Sequence, residues 1–291
     1  GLAVDDPSST IQLVAPLTKE QVSIDNGGYG NWGASEDGDI NQIKTITKAE
    51  FTAVLAQEAA IASRIDALSQ TIKATASTSL TVNMPEDSNL NEFVTAVHLV
   101  NTDKNFTAGR TITIVLGKGE HQIDGYYLDI FSAMNIVGDP KVPKSDLVVV
   151  GAGILYRKGI QGNCHLQHLT LRQPKEVGAR GHSYYGKGTG VYAMSSFTME
   201  DVLVEQCGGH GVDALGKRVT GRCTNVEVRQ CGKSGVRAGC GASIILVGAK
   251  TKVHHNYCTT FNRRLCYGLQ VYSSSSSTIQ LISPLTKEQV S

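Results

Sequence analysis

Between Leu169 and Val271 one short pattern returns four times: LTLRQP from Leu169, VLVEQC from Val202, VEVRQC from Val226 and VHHNYC from Val253. A second short run follows each copy, namely GVYA from Gly190, GVDA from Gly211, GVRA from Gly235 and GLQV from Gly268. The starts of the first pattern lie 33, 24 and 27 residues apart. Apolar residues alternate within each run, so each run reads as a strand with one buried face, and each period as one turn of a coil that stacks on the next. A chain built this way is a parallel β-solenoid.

The two ends of the chain match. Residues 9–23 read STIQLVAPLTKEQVS and residues 277–291 read STIQLISPLTKEQVS, identical at 13 of 15 positions. Upstream, GLAV at Gly1 parallels GLQV at Gly268. Residues 1–23 are therefore a terminal-rung segment duplicated at 269–291, and the chain reads as a little more than one period of a tandem array. The apolar residues of the two copies are the candidate assembly positions: Gly1, Leu2, Val4, Ile11, Leu13 and Leu17 in one, Leu269, Val271, Ile279, Leu281 and Leu285 in the other. Two outcomes are open for the first copy, which either packs on a neighbouring subunit or repeat, or pairs within its own chain. The sequence opens on GLAVDD without an initiator Met or a signal peptide, so a processed chain or a window of a longer one is expected.

A Gly-rich linker at 24–46 holds the only tryptophan, Trp32. Thr47 and Glu50 then form a capping box that starts a helix over 47–76. Phe51, Val54, Ile61, Ile65, Leu68 and Ile72 make a heptad seam interrupted by Glu58. Either this seam is a short coiled coil between chains, or it is one amphipathic helix packed on the solenoid.

A second helical stretch, LNEFVTAVHLVN from Leu90, precedes RTITIVLGKGEHQIDG from Arg110, and further rungs follow at MNIVGDP, DLVVVGAGIL and NCHLQHLTL. This succession resembles the pectin-lyase-like superfamily, in particular its non-enzymatic tandem-repeat members. The resemblance covers residues 78–291. It implies a mainly β fold, a right-handed parallel β-helix preceded by the linker and the amphipathic α-helix.

Chemistry is harder to place. Aligned rungs stack Cys207, Cys231 and Cys258, at a spacing of about 4.8 Å per rung that a disulfide could bridge, although free buried thiols pack there equally well. Arg172, Glu205 and Arg229 fall side by side on the outer face, as do Asp213 and Arg237, which serves rung register. Gly209, His210 and Gly211 resemble the GHG of polygalacturonases, and Asn101, Thr102 and Asp103 resemble that family's NTD. The two lie 108 residues apart and the family's remaining motifs are missing, so His210 reads as a turn residue. Glycoside hydrolysis needs two carboxylates flanking the bond, and no such pair stands out. His254 and His255 are adjacent, hence expected on opposite faces of a strand. No metal or cofactor is expected. Asn105 opens a glycosylation sequon, and the longest insertion, 174–189, carries His182, Tyr184, Tyr185 and Lys187 as a candidate glycan-binding loop.

With 27 basic and 26 acidic residues and no basic stripe, nucleic acid is not an expected partner, and no apolar run is long enough to insert in a membrane. The expected role is a non-enzymatic structural repeat unit of an extracellular, cell-surface or virion-surface filament, with other copies of itself as partner. A polysaccharide-binding or polysaccharide-degrading β-helix, with glycans as partner, is the alternative.

Overall fold

The computed structural model describes residues 2–4, 11–14, 32–34, 43–76, 81–84, 89–103, 111–125, 127–173, 188–256, 267–272, 276–282, 284–285 and 290. They fall into two compact units, residues 1–64 and 65–291.

The larger unit is a parallel β-helix. The chain runs repeatedly through three parallel sheets, which we call I, II and III in the order it visits them. Sheet I has eight strands, from Thr81–Asn83 and Thr113–Leu116 at one end to Ser243–Val247 and Thr278–Leu281 at the other. Sheets II and III have six each, ending in Lys252–His254 and Leu269–Tyr272 respectively. Alternation builds the core. In Ser243–Val247 the side chains of Ile244 and Leu246 are fully buried while those between them are not, and Thr113–Leu116 repeats the pattern with Ile114 and Leu116. Each rung adds a layer of Val, Ile, Leu or Ala to one continuous interior.

Tight corners between sheets need a residue that bends the chain sharply from one sheet into the next. The structure places left-handed residues there at equivalent levels: His168, Asp201 and Asn225 after sheet I strands (φ 52–53°), and Gln206, Gln230 and His255 after sheet II strands (φ 54–58°). His, Asp and Asn tolerate that region better than most non-glycine residues. At Gly211 the space itself is decisive, since a Cβ would lie 2.2 Å from Val228 Cγ1.

The register confirms most of the ladder and corrects its last step. Thr170 pairs with Leu203 and Leu203 with Glu227, as the 33- and 24-residue offsets require. Glu227, however, pairs with Lys252 and Val228 with Val253. The last offset is thus 25 residues, two fewer than expected. The third sheet follows the expected alignment throughout, with Val191, Val212, Val236 and Leu269 in one row.

Helix α1, Lys48–Ala76, starts on the expected capping box: Thr47 N–H donates to Glu50 Oε2 (2.6 Å) and Glu50 N–H to Thr47 Oγ1 (3.1 Å). The bond from the Thr47 backbone N–H, with help from the Thr47 side chain, holds the Glu50 carboxyl below its ordinary range. Its seam divides. Phe51 and Val54, in the smaller unit, are exposed, whereas Ile65, Leu68 and Ile72, in the larger one, pack on the solenoid core, Ile72 completely. Helix α2, Leu90–Thr102, is capped by Asn89 and buries Leu90, Phe93, Val94, Ala96, Val97 and Val100, the stripe of an amphipathic helix. It joins the core of the first rungs, to which Asn101 Nδ2 ties it through the Ala133 carbonyl.

The smaller unit carries four short strands: β1 Leu2–Val4, β2 Ile11–Val14, β3 Trp32–Ala34 and β4 Ile43–Ile46. β1 pairs in parallel with β3 and β2 with β4. The first copy of the duplicated segment therefore pairs within its own chain. The stretch expected to be only a linker supplies the two strands it pairs with.

Candidate functional site

Among the described residues of the solenoid, polar groups collect in several places, three of which hold the residues singled out in the sequence. The first is the charge ladder across sheet II. Arg172 Nε donates to Glu205 Oε1 (2.7 Å), and Arg229 reaches Glu205 Oε2 from the other side through Nη2 (2.7 Å) and Nε (3.0 Å). Arg229 Nη1 also meets Glu227 (3.2 Å), which in turn lies 3.1 Å from His254 Nε2. Glu205 sits under its neighbours with a side-chain exposure of 3%. Burial alone would raise its carboxyl, but the bonds from Arg229 and Arg172 outweigh it and hold the group below the ordinary range.

The second is a buried pair on sheet III. Asp213 has no side-chain exposure, and Arg237 grips it through Nε (2.8 Å) and Nη2 (2.6 Å). Here desolvation wins. The Asp213 carboxyl is pushed above its usual range despite the guanidinium beside it. Lys233, depressed mainly by burial, and Tyr192, raised mainly by burial, complete the neighbourhood. Sequence reasoning paired Asp213 with Arg237 but placed them on an exposed face and missed Lys233 and Tyr192. The alignment of GVYA with GVDA already places Tyr192 beside Asp213, whereas Lys233 comes from the turn before the next strand, which the strand spacing does not place.

His210 belongs to this second group. It is 4% exposed, its Nδ1 has no hydrogen-bond partner, and burial with Arg237 and Lys233 nearby drives its pKa down to about 3. It is thus a buried neutral imidazole, a firmer role than the plain turn residue expected. Asn101, Thr102 and Asp103 are far from serving it. They end α2, where Asp103 caps the helix and pairs with Lys73.

The third place is the row of sulfurs. Cys207 and Cys231 occupy successive rungs, both buried and both free thiols, and Cys231 and burial together push the Cys207 thiol well above its ordinary value. The corrected register puts Asn256 at the next level, where its Oδ1 accepts from Cys231 N–H (3.0 Å). Cys258 is consequently two residues away from the stack expected of it, and it lies outside the described residues. Among those residues no group of three His, Cys, Asp or Glu is placed to hold a metal ion.

His254 and His255 also differ from expectation. The left-handed backbone at His255 swings its ring back, and the two Nδ1 atoms come within 2.6 Å. Adjacent strand residues diverge only while both stay extended. His182, Tyr184, Tyr185, Lys187, Asn105, Gly1 and Leu17 lie outside the described residues.

Each buried carboxylate above is already engaged by a guanidinium, so these groups lock neighbouring rungs together. Among the described residues, apolar positions are left incompletely covered at the end rung, Leu269–Tyr272 and Thr278–Leu281. In the rows that precede it, Val236, Ala238, Ile244 and Leu246 are all fully buried. Their register partners Leu269, Ile279 and Leu281 are only partly covered, and Val271 is 53% exposed. Tyr272 and Ile282 add to the exposed apolar surface. Leu285 and Val290, from the same duplicated segment, are buried in the core.

No protein-family model matches the chain, and neither a curated protein nor a solved structure is found similar to it.

Proposed function

We propose that this chain is a structural repeat unit of an extracellular, cell-surface or virion-surface filament, a non-enzymatic coil of the pectin-lyase-like kind that assembles head to tail through its duplicated segment and α1. The observation that carries this reading is the end rung. Its inward positions repeat the interior pattern yet remain incompletely covered, and they lie in the segment that the sequence carries twice. An uncovered strand edge with apolar inward residues is a template for another strand. The exposed Phe51, Val54 and Leu55 on α1 supply a second apolar surface of the kind a helix partner covers.

Sedimentation velocity over a wide concentration range, with electron microscopy of the concentrated sample, tests the reading. Reversible growth into linear oligomers is expected. A single monomeric species throughout, without particles longer than one coil, would refute it.

A further inference from the structure

The two copies of the duplicated segment are observed with different neighbours, and each shows what the other lacks. In the second copy, Leu269–Tyr272 pairs with Val236–Gly239 and Thr278–Leu281 with Ser243–Val247, in both cases strands that precede it in the chain. In the first copy, β1 pairs with β3 and β2 with β4, in both cases strands that follow it. A parallel coil that keeps its direction places preceding and following rungs on opposite edges. Superposing the copies by sequence gives one strand with both neighbours in place.

Backbone hydrogen bonds identify the free edge. Thr278 N–H donates to the Ala242 carbonyl (3.0 Å) and Ile282 N–H to the Leu246 carbonyl (3.0 Å), so the peptide groups of alternate residues face the previous rung. Those of Ile279 and Leu281 face the other way, toward an edge with no strand on it among the described residues.

We infer that this edge is the docking site for β3 and β4 of a second copy of this chain, added as the next rung of the coil. The inference rests on the head-to-tail reading above and specifies its contact. The observed register of the first copy fixes the register of the second. Leu2 faces Trp32 and Val4 faces Ala34, so Leu269 takes Trp32 and Val271 takes Ala34 of the incoming copy. Ile11 faces Ile43 and Gln12 faces Lys44, so Ile279 takes Ile43 and Gln280 takes Lys44. Within its own chain the incoming pair is held by β1 and β2, and the event is therefore a strand exchange. Residues 269–282 of one molecule replace residues 2–14 of the next. The exchanged strands are nearly the same in sequence, so the pairing given up matches the pairing gained. The exchange covers the open rung and releases residues 2–14 from the same pairing, so it proceeds between nearly matched states.

The register supplies the test. A full-length Q280C chain is mixed with a full-length K44C chain under mild oxidation, and linked peptides are identified by mass spectrometry so that native thiols do not contribute. Sedimentation of the same mixture under reducing conditions reports association. The expected result is a disulfide between positions 280 and 44. At least tenfold less should form when I46C replaces K44C, because a two-residue offset carries the Cα atoms beyond the roughly 7 Å a disulfide tolerates. Association without the 280–44 link, or with equal linkage to position 46, would overturn this contact while leaving head-to-tail assembly standing. No association at all would overturn both.

Discussion

Removing Arg237 isolates the most buried charge among the described residues of the solenoid. In R237M the Asp213 carboxylate keeps its place with no side-chain exposure but loses the bonds from Arg237 Nε and Nη2. Breaking a buried pair from one side costs about 3–5 kcal/mol, since the remaining charge is neither solvated nor neutralised. At a urea m-value of about 3 kcal/mol/M the midpoint falls by more than about 1 M. The loss depends on pH with a defined sign. Desolvation already raises the Asp213 carboxyl, and deleting the guanidinium that opposes this raises it further. A carboxyl whose folded-state pKa lies above its unfolded one takes up a proton more readily when folded, so the penalty is full above the raised pKa and shrinks as pH falls through it. Urea titrations of parent and R237M, followed by circular dichroism at neutral and mildly acidic pH, should show the midpoint gap narrowing in acid. The double variant D213L/R237M, which removes both charges, should recover most of the neutral-pH loss. A gap below about 0.5 kcal/mol at neutral pH, or one that stays constant on acidification, would refute the argument.

Tyr156 is a contrary case, because its fully buried hydroxyl has no hydrogen-bond partner. Y156F should therefore stabilise the chain by about 1–3 kcal/mol, and a lower midpoint would show that the hydroxyl is satisfied. G211A places a methyl 2.2 Å from Val228 Cγ1 and 2.7 Å from the Gly235 carbonyl oxygen. Overpacking of this kind costs about 1–3 kcal/mol, measurable as a lower thermal midpoint. Among the five described cysteines Cys240 is exposed, while Cys164 and Cys223 are buried with thiols raised to about 11 and about 12. Alkylation of the native protein followed by peptide mapping should modify Cys240 first, and rapid labelling of Cys164 or Cys223 would contradict the packing.

The coil was legible because alternation, recurring strand patterns and Gly-flanked starts are all local features. The error of two residues in the final offset has a physical origin. Val226 and Val228 are both apolar and buried, so matching Val253 to either keeps the inward face intact. A slip by two preserves the pleat where a slip by one inverts it. The extra residues sit in the turn between Val247 and Lys252, where nothing in the pattern marks them. The meeting of His254 with His255 was hidden for another reason, since it depends on a left-handed backbone that alternation takes to be extended. Burial of Asp213 and His210 is tertiary, set by what covers the strands. The pairing of β3 and β4 was obscured by Gly and Asp around them, which read as connector.

The charge ladder also bears on how the coil is wound. Were one rung skipped, Arg172 would face Arg229 in place of Glu205, and like charges directly opposite repel. Interior rungs are thus keyed, each accepting the neighbour that completes its pairs. At the end of sheet II the ladder closes on His254, 3.1 Å from Glu227, whereas at the end of sheet III the row of Asp213 and Arg237 ends in an uncharged residue, Gln270. A neutral amide neither demands nor refuses a charged partner. The molecule is strict about the order of its interior rungs and permissive at the rim of sheet III.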